Sequence, residues 1–316
     1  MQPDALPPSP RPHPYRRPIT AALVAIVLLA LAILGWLAAN ANAPAPAPQP
    51  AASAPNVRGG DAPFVDPALN PGPPRRTEAS TSEEPPQRLT VQVLGSTPHD
   101  RSAFTQGLVW FQGALYESTG LYGQSTVREV DRATGEVRRQ VRLDPTVFAE
   151  GLAQVGDRLV QITWQQGVAY VYDIATLERL DQFTYTGEGW GLCNDGARLV
   201  MSDGSSALTF RDPETFGAIG TVSVTLDGRP LDRLNELECV GDRVYANVWM
   251  SDLIVRIDPG SGRVDAAIDA GNLLPPAERI GADVLNGIAY DPEQDVFLIT
   301  GKLWPRVFEV RFVPAG

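Results

Sequence analysis

The chain has few soft metal ligands and almost no lysine. Its 316 residues include two histidines and two cysteines, and among the 26 lysine and arginine residues Lys302 is the single lysine. With so few histidines and cysteines, a structural zinc site or a histidine-based catalytic triad has almost nothing to build from. Because arginine serves wherever a generic surface cation is sufficient, we predict that Lys302 meets a need for a compact ammonium group.

Positive charge is also scarce. The chain carries 37 acidic against 26 basic residues, which gives a formal net charge of -11. The first 86 residues hold six of each sign, so the whole excess of negative charge follows them. A surface this acidic repels phosphate backbones, which argues against a nucleic-acid partner and favours neutral or cationic partners.

Charge is absent from residues 19–39, which are mainly Ala, Leu, Ile and Val. A helix of that length covers the roughly 30 Å hydrocarbon core of a bilayer, so we predict a transmembrane signal anchor. Three arginines precede this segment, and no basic residue follows it until Arg58. The positive-inside rule therefore places residues 1–18 in the cytoplasm as a short tail.

A cleaved signal peptide is the alternative to an anchor. The segments Ala39-Asn40-Ala41 and Ala41-Asn42-Ala43 both fit a small-x-small processing site. The apolar stretch is longer than the about 7 to 15 residues of a signal peptide, which favours the anchor. In either case we expect export. The folded part would face the periplasm or the outside of the cell from an inner membrane, or be secreted if the signal is cleaved.

Proline separates the two parts of the chain. Of the 29 prolines, 19 lie before Gln87. Residues 40–86 are rich in Pro and Ala and have too few large apolar side chains to offset the entropy cost of ordering, so we predict a disordered tether there. Residues 87–316 are predicted to form one catalytic domain, which folds without the preceding segments and is a monomer.

An internal repeat organises residues 87–316. The segment that begins Glu150-Gly151-Leu152 recurs 85 residues later, and related segments lie between and on either side of these two. The five copies divide the region into units of about 46 residues. Their opening residues are Gln106, Glu150, Trp190, Asn235 and Asn286.

Each repeat unit has the pattern of short β-strands. Apolar runs alternate with Gly, Asp and Asn turns, as in Ala169 to Asp173 and Ile254 to Asp258, and no window has a sustained helical stripe. Five four-stranded antiparallel sheets can bury both faces when arranged radially, so we predict an all-β, five-bladed β-propeller. The last unit supplies only three strands, and we expect the strand at Leu89 to Leu94 to complete it and close the ring.

The opening residues of the repeats are the candidate site. In a propeller the first strand of each blade lines the central channel, so these residues converge at one mouth. One carboxylate with several indoles and amides is typical of a small-ligand site. The plainer alternative is that the tryptophans pack between blades, Glu150 caps a turn and Asn235 satisfies buried backbone. Around the same mouth, the residues that close the second strands are Gly120, Trp164, Gly204, Trp249 and Gly301, the last followed by Lys302.

Cys193 and Cys239 are the two cysteines of the chain. Aligning the repeats places them one position apart, and adjacent strand positions point to opposite faces. One can therefore face forward and the other backward across the interface between the third and fourth units. Since an oxidising compartment allows pairing, we predict a disulfide between them.

The region from Thr90 to Phe312 resembles the plant-type (papaya-like) glutaminyl cyclases, also called glutamine cyclotransferases, a five-bladed propeller family with bacterial members. Any single shared motif is weak, but their common order along the chain is specific. The motifs are Phe104-Thr105-Gln106-Gly107-Leu108, Tyr116-Glu117-Ser118-Thr119-Gly120-Leu121-Tyr122-Gly123, Glu150-Gly151-Leu152, Trp190-Gly191-Leu192, Asn235-Glu236-Leu237-Glu238, Asn247-Val248-Trp249, Leu285-Asn286-Gly287-Ile288-Ala289 and Thr300-Gly301-Lys302-Leu303-Trp304-Pro305.

The resemblance implies that the N-terminal glutamine of peptides or proteins is converted to pyroglutamate with loss of ammonia, without a metal or other cofactor. It assigns proton transfer to Glu150 and places Asn235 and Lys302 around the polar groups of the substrate. The remaining pocket residues that it implies are the indole wall of Trp164, Trp190 and Trp249, together with Phe104 and Gln106. Ala149 departs from the family, which has larger side chains before this glutamate.

Two other functions are consistent with the repeat pattern. A calcium-dependent propeller lactonase or related hydrolase would use Glu150, Asn235 and Asn286 to bind a central ion. Five units rather than six, and the lack of a suitable aspartate, argue against it. A non-catalytic binding propeller tethered to the membrane would need only an exposed mouth with Trp and Asn.

Overall fold

The computed structural model describes residues 84–316, and within that range every regular element except one short 3-10 helix is a β-strand. The predicted tail, membrane segment and most of the tether lie outside the described residues. Within residues 84–316 no helix has the length and apolar character needed to cross a membrane. The described region is therefore all-β, as the sequence predicts.

Three four-stranded antiparallel sheets follow one another along the chain, and in each of them spatial order equals chain order. Strands predicted from the apolar runs are present, including the one expected from Ala169 to Asp173. The first sheet contains β2 (Thr105–Phe111), β3 (Ala114–Thr119), β4 (Thr126–Val130) and β5 (Val137–Arg142), the second β6 (Ala149–Val155), β7 (Arg158–Thr163), β8 (Val168–Asp173) and β9 (Arg179–Thr184), and the third β10 (Leu192–Asn194), β11 (Leu199–Ser202), β12 (Ala207–Arg211) and β13 (Ala218–Ser223).

The remaining long strands form one eight-stranded sheet. They are β1 (Gln87–Pro98), β16 (Leu234–Val240), β17 (Arg243–Val248), β18 (Leu253–Ile257), β19 (Val264–Asp269), β20 (Leu285–Asp291), β21 (Val296–Gly301) and β22 (Arg306–Pro314). Their spatial order is β16-β17-β18-β19-β1-β22-β21-β20. A hairpin of β14 (Thr225–Leu226) and β15 (Arg229–Pro230) and a 3-10 helix at Pro276–Glu278 lie outside this sheet.

The first strand of the region, β1, joins the two halves of the large sheet. It pairs antiparallel with β22, from Leu89 opposite Pro314 to Pro98 opposite Arg306. Its first residues also pair parallel with β19, beginning with Gln87 opposite Ala266. The strand expected at Leu89 to Leu94 is thus present, although it is longer at both ends, and it supplies a fourth strand beside β22, β21 and β20.

The first strands of the repeats form the buried centre. Strands β2, β6, β10, β16 and β20 contact one another in that order, and β20 also contacts β2. Gly107 permits the close approach of β2 to β6, because a Cβ there would lie 2.5 Å from the backbone N of Leu152. The outer strands β5, β9 and β13 are largely exposed. Burial therefore decreases from the inner to the outer strand of each sheet.

Apolar side chains fill the space between neighbouring sheets. Between the third and fourth repeats, Leu208 on β12 and Leu237 on β16 belong to one buried cluster, and both are almost fully inaccessible. Burial of each such leucine contributes about 1.5 to 3 kcal/mol. The predicted disulfide between Cys193 and Cys239 lies at this interface, with 5.5 Å between the two Cα atoms, and it covalently links β10 to β16.

Candidate active site

Four of the five opening residues lie at irregularities in the strand pairing, which set the direction of their side chains. The register between the first and second strands shifts around Gln106, around Glu150, around Asn235 and around Asn286. A β-bulge leaves a residue outside the ladder and changes the direction of its side chain. Four of the inner strands thus carry, near their start, a polar side chain that does not follow the alternation of the sheet.

The residues that close the second strands are held by a recurring backbone hydrogen bond. The N–H of Trp164 donates to the carbonyl of Phe148 over 2.9 Å, and that of Trp249 donates to Arg233 over 2.8 Å. In the last unit Lys302 makes this bond, to Val284 over 2.9 Å. Lys302, and not Gly301 as the repeat alignment suggests, is therefore the equivalent of the two tryptophans.

The physical reason for this difference is the length of one turn. Two residues, 156–157, separate β6 from β7, whereas four residues, 292–295, separate β20 from β21. The two extra residues move every later position of the last unit by two. The lysine consequently occupies a position that carries an indole in two other repeats.

Glu150 is buried beside two amides. Its side chain is on β6, and the residue is 5% exposed. Gln106 Nε2 donates to Glu150 Oε1 over 3.0 Å, and Asn286 Nδ2 donates to Gln106 Oε1 over 3.2 Å. Burial raises the pKa of Glu150 well above its ordinary value, while Lys302 opposes this shift and Glu188 adds to it. Glu150 therefore holds a proton more tightly than an exposed glutamate does.

Lys302 is buried to the same extent and faces an aromatic ring. Its Nζ lies 4.8 Å from the centroid of Phe104, a distance typical of a cation–π contact. Burial lowers the pKa of Lys302, and the charges of Glu150 and Asp283 oppose this shift. Among the described residues it forms no direct ion pair, so Glu150 and Lys302 interact without a shared hydrogen bond.

The predicted indole wall is present. Trp190 and Trp249 contact edge to face, with centroids 5.5 Å apart. Trp164 contacts Phe148 at 5.6 Å, and Phe148 in turn contacts Phe104 at 6.2 Å. These five rings are partly exposed. They form an apolar surface that water and a ligand can reach.

Buried amide groups add unused hydrogen-bonding capacity. Within residues 84–316, Oδ1 of Asn235, Oδ1 of Asn286 and Nδ2 of Asn247 are buried without a hydrogen-bond partner. An unpaired buried polar atom costs about 1 to 3 kcal/mol. Asn235 and Asn286 lie near the start of the inner strands β16 and β20, and Asn247 lies near the end of β17. A ligand could supply the missing partners of these atoms.

Sequence reasoning missed two residues of this site. Phe148 belongs to the aromatic wall, and the carboxylate of Glu188 accepts hydrogen bonds from two of its indoles. Phe148 lies two residues before Glu150 and Glu188 two before Trp190, as Phe104 does before Gln106. This repeated offset was the signal that could have identified both.

The structure brings most of the predicted residues together. Gln106 bonds Glu150, Lys302 contacts Phe104, and the tryptophans are joined through Glu188 or by ring contact. Asn235 is buried, but within the described part of the chain nothing hydrogen-bonds its Oδ1. Residues 84–316 also contain no group of three or more His, Cys, Asp or Glu side chains placed to hold a metal ion.

Comparison with known proteins identifies the family. The model of the glutamine cyclotransferase family matches residues 72–312. A glutaminyl-peptide cyclotransferase of Arabidopsis thaliana is 41% identical over 231 residues, which is 72% of this chain and 72% of the relative. The crystal structure of Myxococcus xanthus glutaminyl cyclase matches with a TM-score of 0.66 and 41% identity, covering 73% of this chain and all of that one. The chain belongs to the glutamine cyclotransferase family.

Proposed function

We propose that the protein is a glutaminyl-peptide cyclotransferase, which converts the N-terminal glutamine of peptides or proteins into pyroglutamate and releases ammonia. The observation that carries this proposal is Glu150. Its carboxyl group is buried and has a raised pKa, it accepts a hydrogen bond from Gln106, and it interacts electrostatically with Lys302. Family membership supports the same reaction. We propose for the site residues the same roles that the family resemblance implies.

The reaction needs a proton carrier more than it needs an external nucleophile. The α-amine of the substrate attacks the γ-amide carbon of its own residue, so folding of the glutamine against the wall supplies proximity. The free α-amine has a pKa of about 7.7 to 8.0 and must be neutral when it attacks. The amide nitrogen leaves only after it has been protonated.

Glu150 can serve both nitrogens. In the first step a bond forms between the α-nitrogen and the γ-carbon, and the carboxylate of Glu150 takes the proton that the amine loses. In the second step Glu150 returns a proton to the amide nitrogen, the bond from that nitrogen to the γ-carbon breaks, and ammonia leaves. A raised pKa suits a group that must both accept and donate a proton.

Lys302 and Asn235 act on the other polar atoms. A buried ammonium at Lys302 stabilises the negative charge that develops on the γ-carbonyl oxygen, and one such donor is worth about 2.7 to 4 kcal/mol. The free Oδ1 of Asn235 is an acceptor, so it suits an N–H group of the substrate. Gln106 holds the carboxyl of Glu150 in place.

The aromatic wall supplies binding and excludes water. Trp164, Trp190 and Trp249 offer flat apolar surface to the aliphatic stem of the glutamine. Exclusion of water strengthens the interaction of Lys302 with the developing charge. It also reduces competition by hydrolysis.

We further propose a five-bladed β-propeller closed by β1. The four-stranded units, the pairing of β1 with β22 and the cyclic contacts of the inner strands support this architecture. We propose as well that the protein is an exported monomer anchored through residues 19–39. The charge-free apolar composition of that segment and the disulfide support export.

Incubation of the full chain with a glutamine-initiated dipeptide tests the proposed activity. We expect release of one ammonia per peptide and a product lighter by the mass of ammonia. A matched asparagine-initiated dipeptide should not react, because its shorter side chain would have to close a strained four-membered ring. Equal ammonia release from both peptides, or none from either, would contradict the proposal. Turnover that survives chelation would argue against the calcium-dependent hydrolase.

A further inference from the structure

The carboxylate of Glu188 links two parts of the aromatic wall. Its Oε2 accepts hydrogen bonds from Trp164 Nε1 over 2.8 Å and from Trp190 Nε1 over 3.0 Å. Its other oxygen accepts from Gln165 Nε2 over 2.9 Å. Trp164 follows β7 in the second sheet, and Trp190 precedes β10 in the third. One side chain therefore fixes indoles from two different sheets.

We propose that Glu188 is a positioning residue of this site, which holds the rings of Trp164 and Trp190 in one arrangement against the substrate. The inference rests on the proposed function and extends it to a residue outside the predicted set. With both indole N–H groups bound to Glu188, the two rings present apolar surface to the glutamine stem. Hydrogen bonds to a charged acceptor are stronger than neutral ones, so they restrict the rings more tightly.

The hydrogen bonds of Glu188 are those of a residue that fixes its neighbours. Two indoles and one amide donate to its carboxylate. Its repeat position supports a distinct task, because the matching residues of the first two sheets are Phe104 and Phe148, which are themselves wall rings. In the third sheet a charge replaces the ring and anchors neighbouring indoles instead.

The negative charge of Glu188 also acts on Glu150. Like charge disfavours ionisation, and Glu188 adds to the rise in the pKa of Glu150. Removal of this charge should therefore lower the pKa of Glu150. The pKa of Glu150 is therefore a second measure of the role of Glu188, and a change in ring packing alone would not alter it.

Steady-state kinetics of Glu188→Gln in the full chain test the proposal. The amide keeps the size of the side chain but offers one acceptor oxygen in place of two, so the indoles and Gln165 cannot all be bound. We expect KM for a glutamine-initiated dipeptide to rise by about tenfold or more, the equivalent of one lost hydrogen bond to a charged group, with a smaller change in kcat. The inflection of the pH profile that reports Glu150 should move to lower pH, because the like charge that raises its pKa has been removed.

Two other variants make the test specific. Trp164→Phe keeps an aromatic ring but removes one hydrogen-bond donor to Glu188. It should also raise KM, but it should not move the inflection of the pH profile. Glu214→Gln makes the same chemical change at an exposed carboxylate that pairs with Arg158, and it should behave as the wild type. Thermal unfolding of each variant gives the folded fraction by which its rates are corrected.

The possible results separate this inference from the proposed function. Wild-type KM and an unmoved pH inflection in Glu188→Gln would overturn the role of Glu188, and so would a loss of activity that only follows the folded fraction. An inactive wild type would instead overturn the proposed function. In that case tryptophan emission still decides the role of Glu188, because it should differ between the wild type and Glu188→Gln and would be unchanged if the indoles were not anchored.

Discussion

Two buried glutamates in neighbouring sheets have opposite electrostatic surroundings. Glu117, on β3, accepts hydrogen bonds from Arg128 Nη2 over 2.6 Å and from Thr105 Oγ1 over 2.7 Å, and its Oε1 lies 3.1 Å from His99 Nε2. Glu150, on β6, has one neutral amide partner. The two sites adjoin, since the hydroxyl of Ser118 donates to the backbone carbonyl of Glu150. The two carboxyl groups are buried to a similar extent, so their different hydrogen-bonding and charged partners account for the difference between their pKa values.

The pKa of each carboxyl follows from those partners. Burial alone would raise the pKa of Glu117, but Arg128 and then His99 more than offset it and hold the pKa below its ordinary value. At Glu150 the same effect of burial is only partly opposed, by a lysine with which it forms no hydrogen bond. A fully paired carboxylate stabilises the fold, whereas an incompletely paired one can exchange a proton.

The largest expected effect comes from Glu150→Gln. This change keeps the shape of the side chain but removes its proton chemistry, so turnover should fall by about 10² to 10⁴. The unfolding temperature should be unchanged or higher, because a poorly compensated buried acid is lost. Ammonia release and circular dichroism on heating measure the two properties. Full turnover in this variant would refute proton transfer by Glu150.

Glu117→Gln should have the opposite consequence. Removal of Glu117 leaves Arg128 with the partly exposed carboxylate of Asp100 as its remaining partner, so the free energy of unfolding should fall by as much as about 3 to 5 kcal/mol. Urea denaturation measures this loss, while kcat per folded molecule should stay close to that of the wild type. Glu309→Gln is the matched control, because Glu309 forms a partly exposed pair with Arg132, which is worth about 0 to 1 kcal/mol. Equal losses in both variants would contradict the comparison.

Lys302→Arg tests whether the proposed site needs a compact ammonium group at this position. The charge is kept, but the planar guanidinium is wider than an ammonium and has a different donor geometry. We expect kcat to fall by about 10², as when one oxyanion donor is lost, with little change in unfolding temperature. Steady-state kinetics check this expectation. Wild-type rates in the variant would remove the need for a point charge at this position.

The pH dependence of stability should show a smaller effect from Glu238. Burial raises its pKa from 4.5 to about 8, against hydrogen bonds from the backbone of Tyr290 and Cys239. Between these values the folded state keeps a proton that the unfolded chain releases, so stability falls as pH rises. The side chain is partly exposed, and we expect a fall of about 1 to 3 kcal/mol rather than the full shift.

Chemical denaturation at several pH values measures this slope. Glu238→Gln should flatten it, because the glutamine does not titrate. Glu117 contributes with the opposite sign, since its stabilisation is present above its unfolded pKa and is lost as pH falls through its lower folded pKa. An unchanged slope in Glu238→Gln would show that Glu238 titrates alike in both states.

The sequence was sufficient for most of the fold because each repeat carries its own pattern. Four of the inner strands begin one residue before the opening residues, and the missing fourth strand of the last unit indicated that β1 completes that unit. The β14 and β15 hairpin and the 3-10 helix at Pro276–Glu278 were not predicted. They lie in connections that interrupt the repeat, so periodicity gives no information about them.

The candidate site was predicted in its residues but not in all of its contacts. The repeat alignment made Gly301 equivalent to the tryptophans, because the longer turn before β21 could not be recognised from the sequence. Glu188 was missed, since its partners come from two sheets and only the tertiary structure brings them together. The same holds for Glu117, whose ion pair with Arg128 and contact with His99 depend on side-chain packing across three segments.

Infrared difference spectroscopy tests the central claim that Glu150 carries an exchangeable proton while Glu117 does not. The spectrum of Glu150→Gln is subtracted from that of the wild type at about pH 6, well above the usual pKa of a glutamate. We predict the carbonyl band of a protonated carboxylic acid for Glu150, and only carboxylate bands in the matching difference for Glu117→Gln. Carboxylate bands for Glu150 at this pH would contradict the account.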